Sequence, residues 1–530
     1  MDNIAIAITE GKTSLGIELG STRIKAVLID EAHNVLASGA FDWENSYENG
    51  VWTYSMDKTW EGLRTCYADL AKNVREKYGV ELKTTGAACI SAMMHGYLPF
   101  DSKWEQLAAF RTWRNTITGE AAAKLTELFN FNIPQRWSIA HLYQAMLSGQ
   151  EHVKNIANLT TLAGYVHYKL TGCNAVGVGE ASGMFPIDSS TCDYNEEMVA
   201  KFDALAAEMG YEWKIRDILP KVLVAGNGAG KLTAEGAALL DPTGTLEAGI
   251  PFAPCEGDAG TGMAATNSVG VKTGNVSAGT SIFSMVVLER SLEKVYEEID
   301  MVTTPDGSAV AMVHCNNCTS DIDAWANLFC QFESLAGFEV PYKKALDMLY
   351  AVALEGDADC GGLLAYNYYS GEPVAGLDEG FPLFVREPAA KLSIANFMRA
   401  HLQTALATLK IGMDILKGEN VKINRMYGHG GYFKAPGVGQ RLLAGAIDAP
   451  VYVMHTAAEG GPWGAALLAA YMIRAKEGQS LENYLSECVF AGLEGEGVEA
   501  KPEDVKGFEE YAAKFTAGLK MQKAAIESKR

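Results

Sequence analysis

Two segments of this chain repeat one pattern: a short strand, a turn of glycine and hydroxyl residues, and a second strand. The first segment covers Gly16–Lys25, and the second begins at Gly274, about 260 residues further along. A pattern repeated at this distance indicates a chain of two similar halves, and a diverged duplication would explain it. Coincidence is the alternative, because Gly-Thr and Gly-Ser turns between strands are common.

The length of the chain agrees with two halves. Its 530 residues exceed the roughly 250–300 at which a single hydrophobic core stops growing. Hydrophobic residues make up 48% and charged residues 21%, which is typical of a globular protein. Strands and helices are mixed in both halves, so we expect an α/β architecture. We place the boundary near residue 265, giving domains 1–265 and 266–530.

Hydrophobic periodicity predicts the elements around the two openings. Apolar residues recurring every three or four positions predict helices that end at Gly79, cover Ile394–Met413 and cover Val505–Leu519. Short runs of β-type residues predict strands. These strands cover residues 15–19, 24–30, 35–41, 86–91, 282–288 and 309–314.

The charge of the chain argues against a nucleic-acid partner. Its 44 basic and 65 acidic residues give a formal net charge of −21, and no run of Lys and Arg offsets it. A small anionic ligand stays open, because loop N–H groups can bind one. The N-terminus has no basic region, and no run of roughly 18 apolar residues occurs, so we expect neither a secretory signal nor a membrane span.

The ten cysteines lack the spacing of a disulfide framework, which predicts reduced thiols and a cytoplasmic location. The one close pair is Cys315 and Cys318. No second pair completes four zinc ligands, so we interpret both as buried thiols.

The turns of the two openings are candidate phosphate loops. Gly20, Ser21 and Thr22 follow an acidic residue, Glu18, which could hold hydrated Mg²⁺ while turn N–H groups and hydroxyls bind phosphate. Ser277–Ser281 offers a matching turn in the other half. An ordinary hairpin explains either turn alone, so the pair is the more informative observation.

Three further segments contain candidate functional residues. Asp258 lies in the glycine-rich loop Glu256–Gly262 and could accept a proton from a substrate hydroxyl, although most acidic residues are solvated surface. Gly428–Lys434 could let a flat aromatic ligand lie against the backbone, or could be a flexible turn. His95 follows a predicted strand and could bind a substrate hydroxyl, although a lone histidine is more often structural.

One apparent motif fails. Gly226–Thr233 looks like a P-loop, but Leu232 stands where Ser or Thr must follow the lysine, and Ala225 stands where glycine is needed. We therefore predict a surface loop.

Taken in order, these segments resemble the FGGY family of carbohydrate kinases, within the actin-like ATPase superfamily, and are most similar to its xylulokinase-like members. The resemblance runs from about residue 14 to about residue 475. It rests on Gly16–Lys25, Met93–Gly96, Tyr165–Gly172, Ala181–Gly183, Gly257–Asp258, Ser277–Ser281, the Gly430-Gly431-x-x-Lys434 motif with Gln440, and Glu459–Ala466.

The resemblance implies two ribonuclease-H-like domains flanking a central cleft, in which ATP phosphorylates a hydroxyl of a ketose or polyol such as xylulose. It implies Asp258 as general base, Glu18 at Mg²⁺, and domain closure that excludes water. The implied sugar contacts are Asp258, Met94, His95, Trp113 and Asn115. The implied ATP contacts are Gly20, Ser21, Thr22, Lys25, Gly279, Thr280, Ser281, Gly430, Gly431 and Lys434. A homodimer is left open.

The sequence departs from the family on the sugar side. Glu18 replaces Asp, Met93 replaces Gln, and Asn115 stands where many members have Asp. The G-E-R-x-P segment reads Gly371–Ala375, without the arginine. Lost polar groups are expected to change selectivity.

Two other hypotheses compete with a sugar kinase. One is a nucleotide-dependent regulatory protein or weak ATPase on the same fold, without a sugar acceptor. Retention of Asp258 favours the kinase, while Glu18 and Met93 keep the regulatory alternative open. The other, an actin- or chaperone-like assembly, leaves the Asp258 loop and Met94–Gly96 without a purpose.

Overall fold

The computed structural model describes residues 3–454, 460–493 and 495–529. Its strands are β1 (Ser14–Leu19), β2 (Arg23–Ile29), β3 (Val35–Asp42), β4 (Ser46–Glu48), β5 (Val51–Thr53), β6 (Ala87–Ala92), β7 (Leu98–Phe100), β8 (Asn158–Thr160), β9 (Ala175–Gly177), β10 (Ile187–Asp188), β11 (Asp193–Tyr194), β12 (Lys221–Leu223), β13 (Glu256–Gly257), β14 (Thr273–Ala278), β15 (Ile282–Val287), β16 (Asp300–Thr303), β17 (Ala309–Cys315), β18 (Leu363–Tyr366), β19 (Leu383–Arg386), β20 (Arg425–His429), β21 (Val451–Val453) and β22 (Glu496–Val498).

Its α-helices are α1 (Asn3–Thr9), α2 (Met56–Tyr78), α3 (Gly119–Phe129), α4 (Ser138–Leu147), α5 (Leu162–Thr171), α6 (Val178–Ala181), α7 (Glu196–Glu208), α8 (Ile215–Ile218), α9 (Ala234–Leu240), α10 (Asp258–Ala265), α11 (Ser320–Leu335), α12 (Tyr342–Ala353), α13 (Ile394–Gly418), α14 (Val438–Ile447), α15 (Gly460–Arg474), α16 (Leu481–Tyr484), α17 (Pro502–Ala517) and α18 (Leu519–Glu527). None of these helices is long and apolar enough to cross a membrane.

The chain divides into two compact units. The first comprises the described parts of Met1–Val269, Met301–Val310 and Ala458–Gly492; the second comprises those of Gly270–Asp300, Ala311–Ala457 and Leu493–Arg530. The long first segment ends close to the boundary expected from the sequence. Residues 460–492, which that division placed in the second half, pack instead with the first unit.

Helix α15 explains this return to the first unit, because it packs closely on β1. A Cβ at Gly16 of β1 would collide with the carbonyl of Pro462 and the backbone N of Ala466 in α15. Small residues on both sides therefore permit a contact that a larger side chain would prevent. The contact is long-range, so the local pattern of α15 gives no sign of it.

The first unit is built on a five-stranded sheet in the order β13-β6-β1-β2-β3. Neighbouring strands among β1, β2 and β3 run antiparallel, and their bounds agree with the strands predicted over residues 15–19, 24–30 and 35–41. Strand β6 pairs in parallel with β1, and β13 pairs in parallel with β6. The carboxyl ends of β1, β6 and β13 therefore meet at one edge.

The second unit repeats this order. Its sheet runs β16-β17-β15-β14-β20-β21-β22. Strand β14 pairs antiparallel with β15, in parallel with β20, and β20 in parallel with β21. The run β17-β15-β14-β20-β21 thus matches β3-β2-β1-β6-β13, which supports the interpretation of two similar halves and agrees with a pair of ribonuclease-H-like domains.

Local signals set the ends of α2. The Ser55 side chain accepts a hydrogen bond from the Lys58 N–H at the N-terminus, and Gly79 ends the helix in the left-handed region with φ of 70°. The helix packs on β3 through Gly39, where a Cβ would collide with the carbonyl of Cys66. The predicted helix and its end at Gly79 are confirmed.

At the C-terminus the structure has two helices, α17 and α18, where the periodicity predicts one over Val505–Leu519. The break is at Gly518, where a Cβ would collide with the Tyr366 hydroxyl, which itself donates to the carbonyl of Phe515 at 3.0 Å. Helix α17 therefore begins three residues before the predicted start and ends two residues before the predicted end, at a glycine that leaves room for the Tyr366 hydroxyl.

Asp504 attaches α17 to the second unit. Its Oδ1 lies 2.6 Å from Nη2 of Arg399 in α13, and its Oδ2 lies 2.6 Å from Nε of Arg441 in α14. Asp504 is 2% exposed and Arg399 is 1% exposed. One buried carboxylate is shared by two guanidinium groups. Removing either the anion or a cation would therefore leave a buried charge without its partner, which costs stability.

We predict that Asp504→Asn lowers the free energy of unfolding by about 3–5 kcal/mol, because it leaves two arginines without their anion. The control is Glu509→Gln on the same helix, whose exposed pair with Lys417 is expected to contribute under about 1 kcal/mol. Urea denaturation followed by circular dichroism measures both. Equal losses in the two variants would contradict the role given to Asp504.

Candidate functional site

Three parallel strands of the first unit bring the predicted catalytic and metal-binding residues together. Glu18 lies near the end of β1, Met94 and His95 follow β6, and Asp258 follows β13. Glu18 pairs with Ser91 of β6, and Ser91 pairs in turn with Glu256 of β13. The carboxyl edge of a parallel sheet is where α/β proteins commonly bind ligands, so these residues form a candidate site.

Asp258 is the first residue of α10, and backbone groups hold its carboxylate. Its Oδ1 accepts from the N–H of Met94 at 3.1 Å and from its neighbour Ala259 at 3.0 Å. The side chain is exposed to solvent, yet protein surrounds it on enough sides that desolvation raises its pKa, against the opposing effect of these N–H donors. The carboxylate is thus oriented, accessible and more basic than an ordinary aspartate.

The negative charge of Asp258 acts on the carboxyl group of Glu18. Burial and the charge of Asp258 together raise the pKa of Glu18 to about 7, and the charge of Lys25 opposes this shift. Lys25 lies directly opposite Glu18 on β2. Backbone of α15 approaches the same carboxylate, since a Cβ at Gly461 would collide with its Oε1. A cation at this carboxylate would relieve the repulsion between Glu18 and Asp258.

Two buried carboxyl groups beside Asp258 were missed by the sequence analysis. Glu256 accepts from the N–H groups of Gly179 at 3.3 Å and Glu180 at 2.8 Å, and burial raises its pKa to about 8. Burial also raises the pKa of Glu180, and the charges of Glu256 and Asp258 add to that effect. Glu180 lies beside Glu256 and Asp258 only because the α6 segment contacts β13, a long-range contact that no local motif indicates.

Three aromatic side chains hold the turn Gly20–Thr22. The Trp43 indole donates to the carbonyl of Gly20 at 2.7 Å, and the Tyr54 hydroxyl donates to that of Ser21 at 2.6 Å. The Trp113 indole donates to Oγ of Ser21 at 3.3 Å. The rings of Trp43 and Tyr54 are packed with their centroids 4.3 Å apart. The turn is therefore fixed from behind, and only Trp113 of these three residues was predicted from the sequence.

His95 follows Met94, whose N–H donates to Asp258, and it is held in place by its neighbours. It adopts a positive φ of 73°, its ring is buried, and its Nδ1 lies 3.2 Å from the carbonyl of Gly183. A Cβ at Gly183 would crowd both His95 and Met94. The small-residue segment Ala181–Gly183 is thus the surface on which Met94 and His95 rest.

Asn115 and Met93, on the predicted sugar side, are both buried and hydrogen-bonded within the protein. Asn115 is 2% exposed, its Oδ1 accepts from the N–H of Trp52, and its Nδ2 donates to the carbonyls of Trp52 and Thr112. These bonds favour a structural role over a contact with substrate. Met93 is buried, and its N–H donates to the carbonyl of Leu19.

In the second unit, the carboxyl ends of β14 and β20 bring the other predicted ATP contacts together. Ser277 of β14 pairs with His429 of β20. Gly430 follows at φ of 100°, and a Cβ there would collide with the carbonyl of Ala278. The Gly279–Ser281 turn and the Gly430–Lys434 segment are consequently neighbours, with Lys434 exposed.

Residues at the start of α11 hold the Gly279–Ser281 turn. Thr319 donates to the carbonyl of Gly279 through its N–H at 3.0 Å and its hydroxyl at 2.9 Å, and the N–H of Cys318 donates to the carbonyl of Thr280 at 2.9 Å. Cys318 and Cys315 are both buried. Burial raises the pKa of both thiols, as expected for structural cysteines.

Glu372 holds the residues that precede Cys318 through hydrogen bonds to its side chain. Its carboxylate, which is fully buried, accepts from the N–H of Asn316 at 2.9 Å and from the N–H and Nδ2 of Asn317 at 3.2 and 3.0 Å. Burial raises the pKa of Glu372 to about 7, and these donors oppose the shift. Glu372 therefore orders the two residues that precede Cys318.

Lys231 and Leu232 lie in a loop, and N–H groups of that loop donate to the carbonyls of Phe252 and Ile250, so they do not form a phosphate cradle. In the parts of the chain that the structure describes, no cluster of three or more His, Cys, Asp or Glu side chains is arranged to hold a metal. Glu459 of the late small-residue segment lies outside the described residues.

Comparison with known proteins agrees with this geometry. Residues 13–265 match the N-terminal domain, and residues 274–473 the C-terminal domain, of the FGGY family of carbohydrate kinases. The chain is 20% identical over 462 residues to a xylulose kinase from Haemophilus influenzae, covering 84% of this chain and 89% of that protein.

Solved structures share the fold. One is a xylulose kinase from Rhodospirillum rubrum, with a TM-score of 0.76 and 19% identity over 95% of this chain and 98% of that one. Another is a gluconate kinase from Lactobacillus acidophilus, with a TM-score of 0.76 and 16% identity over the same shares.

We predict that Glu372 makes the second unit less stable as pH rises from about 4.5 to about 7. Its folded-state pKa lies above the unfolded value, so the folded state binds the extra proton and loses that stabilisation as pH passes through 7. Relative to Glu372→Gln, wild type should lose at most about 3 kcal/mol across this window.

Urea denaturation at several pH values measures the difference, with exposed Glu387→Gln as the control. The amide of Glu372→Gln adds an offset that does not depend on pH. A parallel pH dependence in wild type and Glu372→Gln would rule out the assigned contribution.

Proposed function

Since the chain belongs to the FGGY family of carbohydrate kinases and is a sugar kinase, we propose that it transfers the γ-phosphoryl group of ATP to a hydroxyl of a ketose or polyol, with Asp258 as general base. The observation that carries the proposal is the Asp258 carboxylate: it is exposed, and two N–H groups orient one of its oxygens. Its other oxygen is then directed to accept the proton of an acceptor hydroxyl.

The carboxyl groups around Asp258 favour this role. A general base works best when its pKa lies near the working pH. Desolvation already raises the pKa of Asp258. The neighbouring groups Glu18, Glu180 and Glu256 are buried, and burial raises their pKa values as well.

The phosphates of ATP would be bound by the turns Gly20–Thr22 and Gly279–Ser281. Turn N–H groups and hydroxyls suit phosphate oxygens without net positive charge, which this acidic chain lacks. Lys25 and Lys434 would add charge, and Gly430 with Gly431 would let adenine lie against the backbone. The aromatic donors Trp43, Tyr54 and Trp113 would keep the first turn in its binding geometry.

Mg²⁺ is proposed to bind at Glu18. The residues fit this cation, because Mg²⁺ prefers one or two carboxylates, keeps several waters and shares the oxygens of substrate phosphates. The repulsion between Glu18 and Asp258 marks an excess of negative charge there. When bound, the ion would neutralise charge on the phosphates.

On the sugar side we propose contacts from Met94, His95 and Trp113. Asn115 is assigned instead to positioning, because its amide group is engaged with Trp52 and Thr112. The loss of two polar sugar contacts relative to the family, at Met93 and Asn115, should shift the preferred acceptor. All ten cysteines are free thiols, which supports the proposal of a cytoplasmic location.

We predict that Asp258→Asn lowers sugar-dependent ADP formation by about 10²–10⁴-fold, because the amide cannot take the acceptor proton. The assay follows ADP release from ATP-Mg²⁺ with a panel of ketoses, aldoses, polyols and sugar acids. Calorimetric binding of nucleotide to the variant controls for folding.

Strong stimulation by one sugar that is lost in Asp258→Asn supports the proposal and identifies the substrate. Turnover that survives the substitution would reject Asp258 as the base. A flat panel with slow ATP hydrolysis would instead favour a regulatory protein or weak ATPase.

A second prediction concerns the aromatic support of the first turn. Tyr54→Phe removes the hydrogen bond to the carbonyl of Ser21, so KM for ATP should rise by about 2- to 10-fold while kcat changes less. The matched control is Tyr78→Phe, which removes a hydroxyl donor to the carbonyl of Leu36, remote from the turn. Equal KM values in wild type and Tyr54→Phe would show that the turn does not need this support.

A further inference from the structure

Glu256 is a buried acidic residue to which the proposed function gives no contact with a substrate. It is 1% exposed and lies two residues before Asp258. Glycines make room for its carboxyl group: a Cβ at Gly177 or Gly179 would collide with one of its oxygens, and a Cβ at Gly260 would crowd one. Burying a carboxyl group is costly, so a chain that surrounds one with glycines is expected to use it.

The carboxyl group of Glu256 holds the start of α6. Its Oε1 accepts from the N–H of Gly179 at 3.3 Å, and its Oε2 accepts from the N–H of Glu180 at 2.8 Å. A glutamate offers two acceptor oxygens to two consecutive N–H groups, whereas a glutamine offers one. The first residues of α6 are therefore fastened to the end of β13.

The segment that begins with α6 leads to the proposed sugar side. The N–H of Gly183 donates to the carbonyl of Glu180 at 3.1 Å, and the carbonyl of Gly183 lies 3.2 Å from Nδ1 of His95. His95 follows Met94, whose N–H donates to Oδ1 of Asp258 at 3.1 Å. These contacts form a closed ring, which runs through Glu256, Glu180, Gly183, His95, Met94 and Asp258.

We propose that Glu256 is a positioning residue, whose two hydrogen bonds fix the separation between Asp258 and the Met94–His95 surface. The inference rests on the proposed function, which assigns Asp258 as base and that surface to the acceptor. Strand β13 is only two residues long, so its pairing with β6 alone holds the end of the strand weakly. A base must lie within hydrogen-bond reach of its proton, and a misplacement of about 1 Å can cost about 100-fold in rate.

The proposed ATP contacts do not depend on this ring. The Gly20–Thr22 turn is held by the side chains of Trp43, Tyr54 and Trp113, which lie outside the ring. A positioning role for Glu256 therefore predicts weaker kinetics toward the acceptor with KM for ATP near that of wild type. A purely structural role predicts lower stability without this difference between the two substrates.

The test compares Glu256→Met, which removes both acceptor oxygens, with Glu256→Gln, which keeps one. In the ADP-release assay, kcat/KM for the acceptor should fall by about 10- to 100-fold in Glu256→Met and by less in Glu256→Gln, while KM for ATP stays near that of wild type. If Glu256→Met does not fold, Glu256→Gln alone carries the comparison.

The matched control is Asp241→Asn. Asp241 is a buried carboxylate of the same unit, and its Oδ2 accepts from the N–H groups of Thr245 and Leu246 at 3.1 and 2.9 Å. Its loop is joined to the carbonyl of Lys83, which lies before the start of β6, the strand end opposite the candidate site. The control should lower stability and leave kcat/KM for the acceptor unchanged.

Amide hydrogen exchange tests the same contacts without catalysis. Peptides covering residues 177–184 and 92–97 should exchange faster in Glu256→Gln than in wild type, and at the wild-type rate in Asp241→Asn. Unchanged exchange in Glu256→Gln would overturn the inference. So would folded Glu256 variants with the wild-type kcat/KM for the acceptor, or with losses as large toward ATP as toward the acceptor. If no acceptor stimulates wild type, the proposed function fails, and exchange alone decides whether Glu256 holds these segments.

Discussion

The parallel pairing of β6 with β1 is the constraint on which the first unit's site depends. It sets Glu18 beside Ser91 and Leu19 beside Ala92, and the turn after each strand begins at the same edge. Strand β13 extends this register by only two residues, yet they bring Asp258 to the N–H of Met94. In the second unit the pairing of β14 with β20 does the same for Gly279–Ser281 and Gly430. One topological rule therefore positions functional loops in both halves.

A second consequence of this arrangement is a concentration of acidic groups. Glu18, Glu180, Glu256 and Asp258 all have raised pKa values because desolvation disfavours their charged forms, and repulsion from neighbouring carboxylates within this group adds to the effect at Glu18 and Glu180. Burying carboxylates without opposite charge is costly, so such a region holds protons or binds cations. The magnesium ion proposed at Glu18 would bring positive charge to this place. The electrostatics of these residues are thus consistent with the proposed cation.

The sequence predicted what local patterns determine. The meander at β1–β3, the helix ending at Gly79 and the paired glycine-hydroxyl turns each follow from residues close together in the chain. The aromatic donors Trp43 and Tyr54, the carboxyl groups Glu180 and Glu256, and the return of α15 to the first unit were not predicted. Each depends on contacts between residues far apart in sequence, for which a single chain offers no pattern. Gly518 shows the same limit, because the boundary between α17 and α18 falls within a continuous helical pattern.

The hydrogen bond from Trp113 to Oγ of Ser21 links the sugar side to the first phosphate turn. Trp113 lies on the segment that Asn115 fastens to Trp52. A substrate that contacts the Trp113 ring therefore also acts on the donor that orients Ser21. Asn115 holds this segment through neutral hydrogen bonds and adds no charge to the proposed acceptor side. Under the proposed function, selectivity among acceptors and the order of the proposed phosphate turn therefore depend on one loop, so a change at either is expected to alter the other.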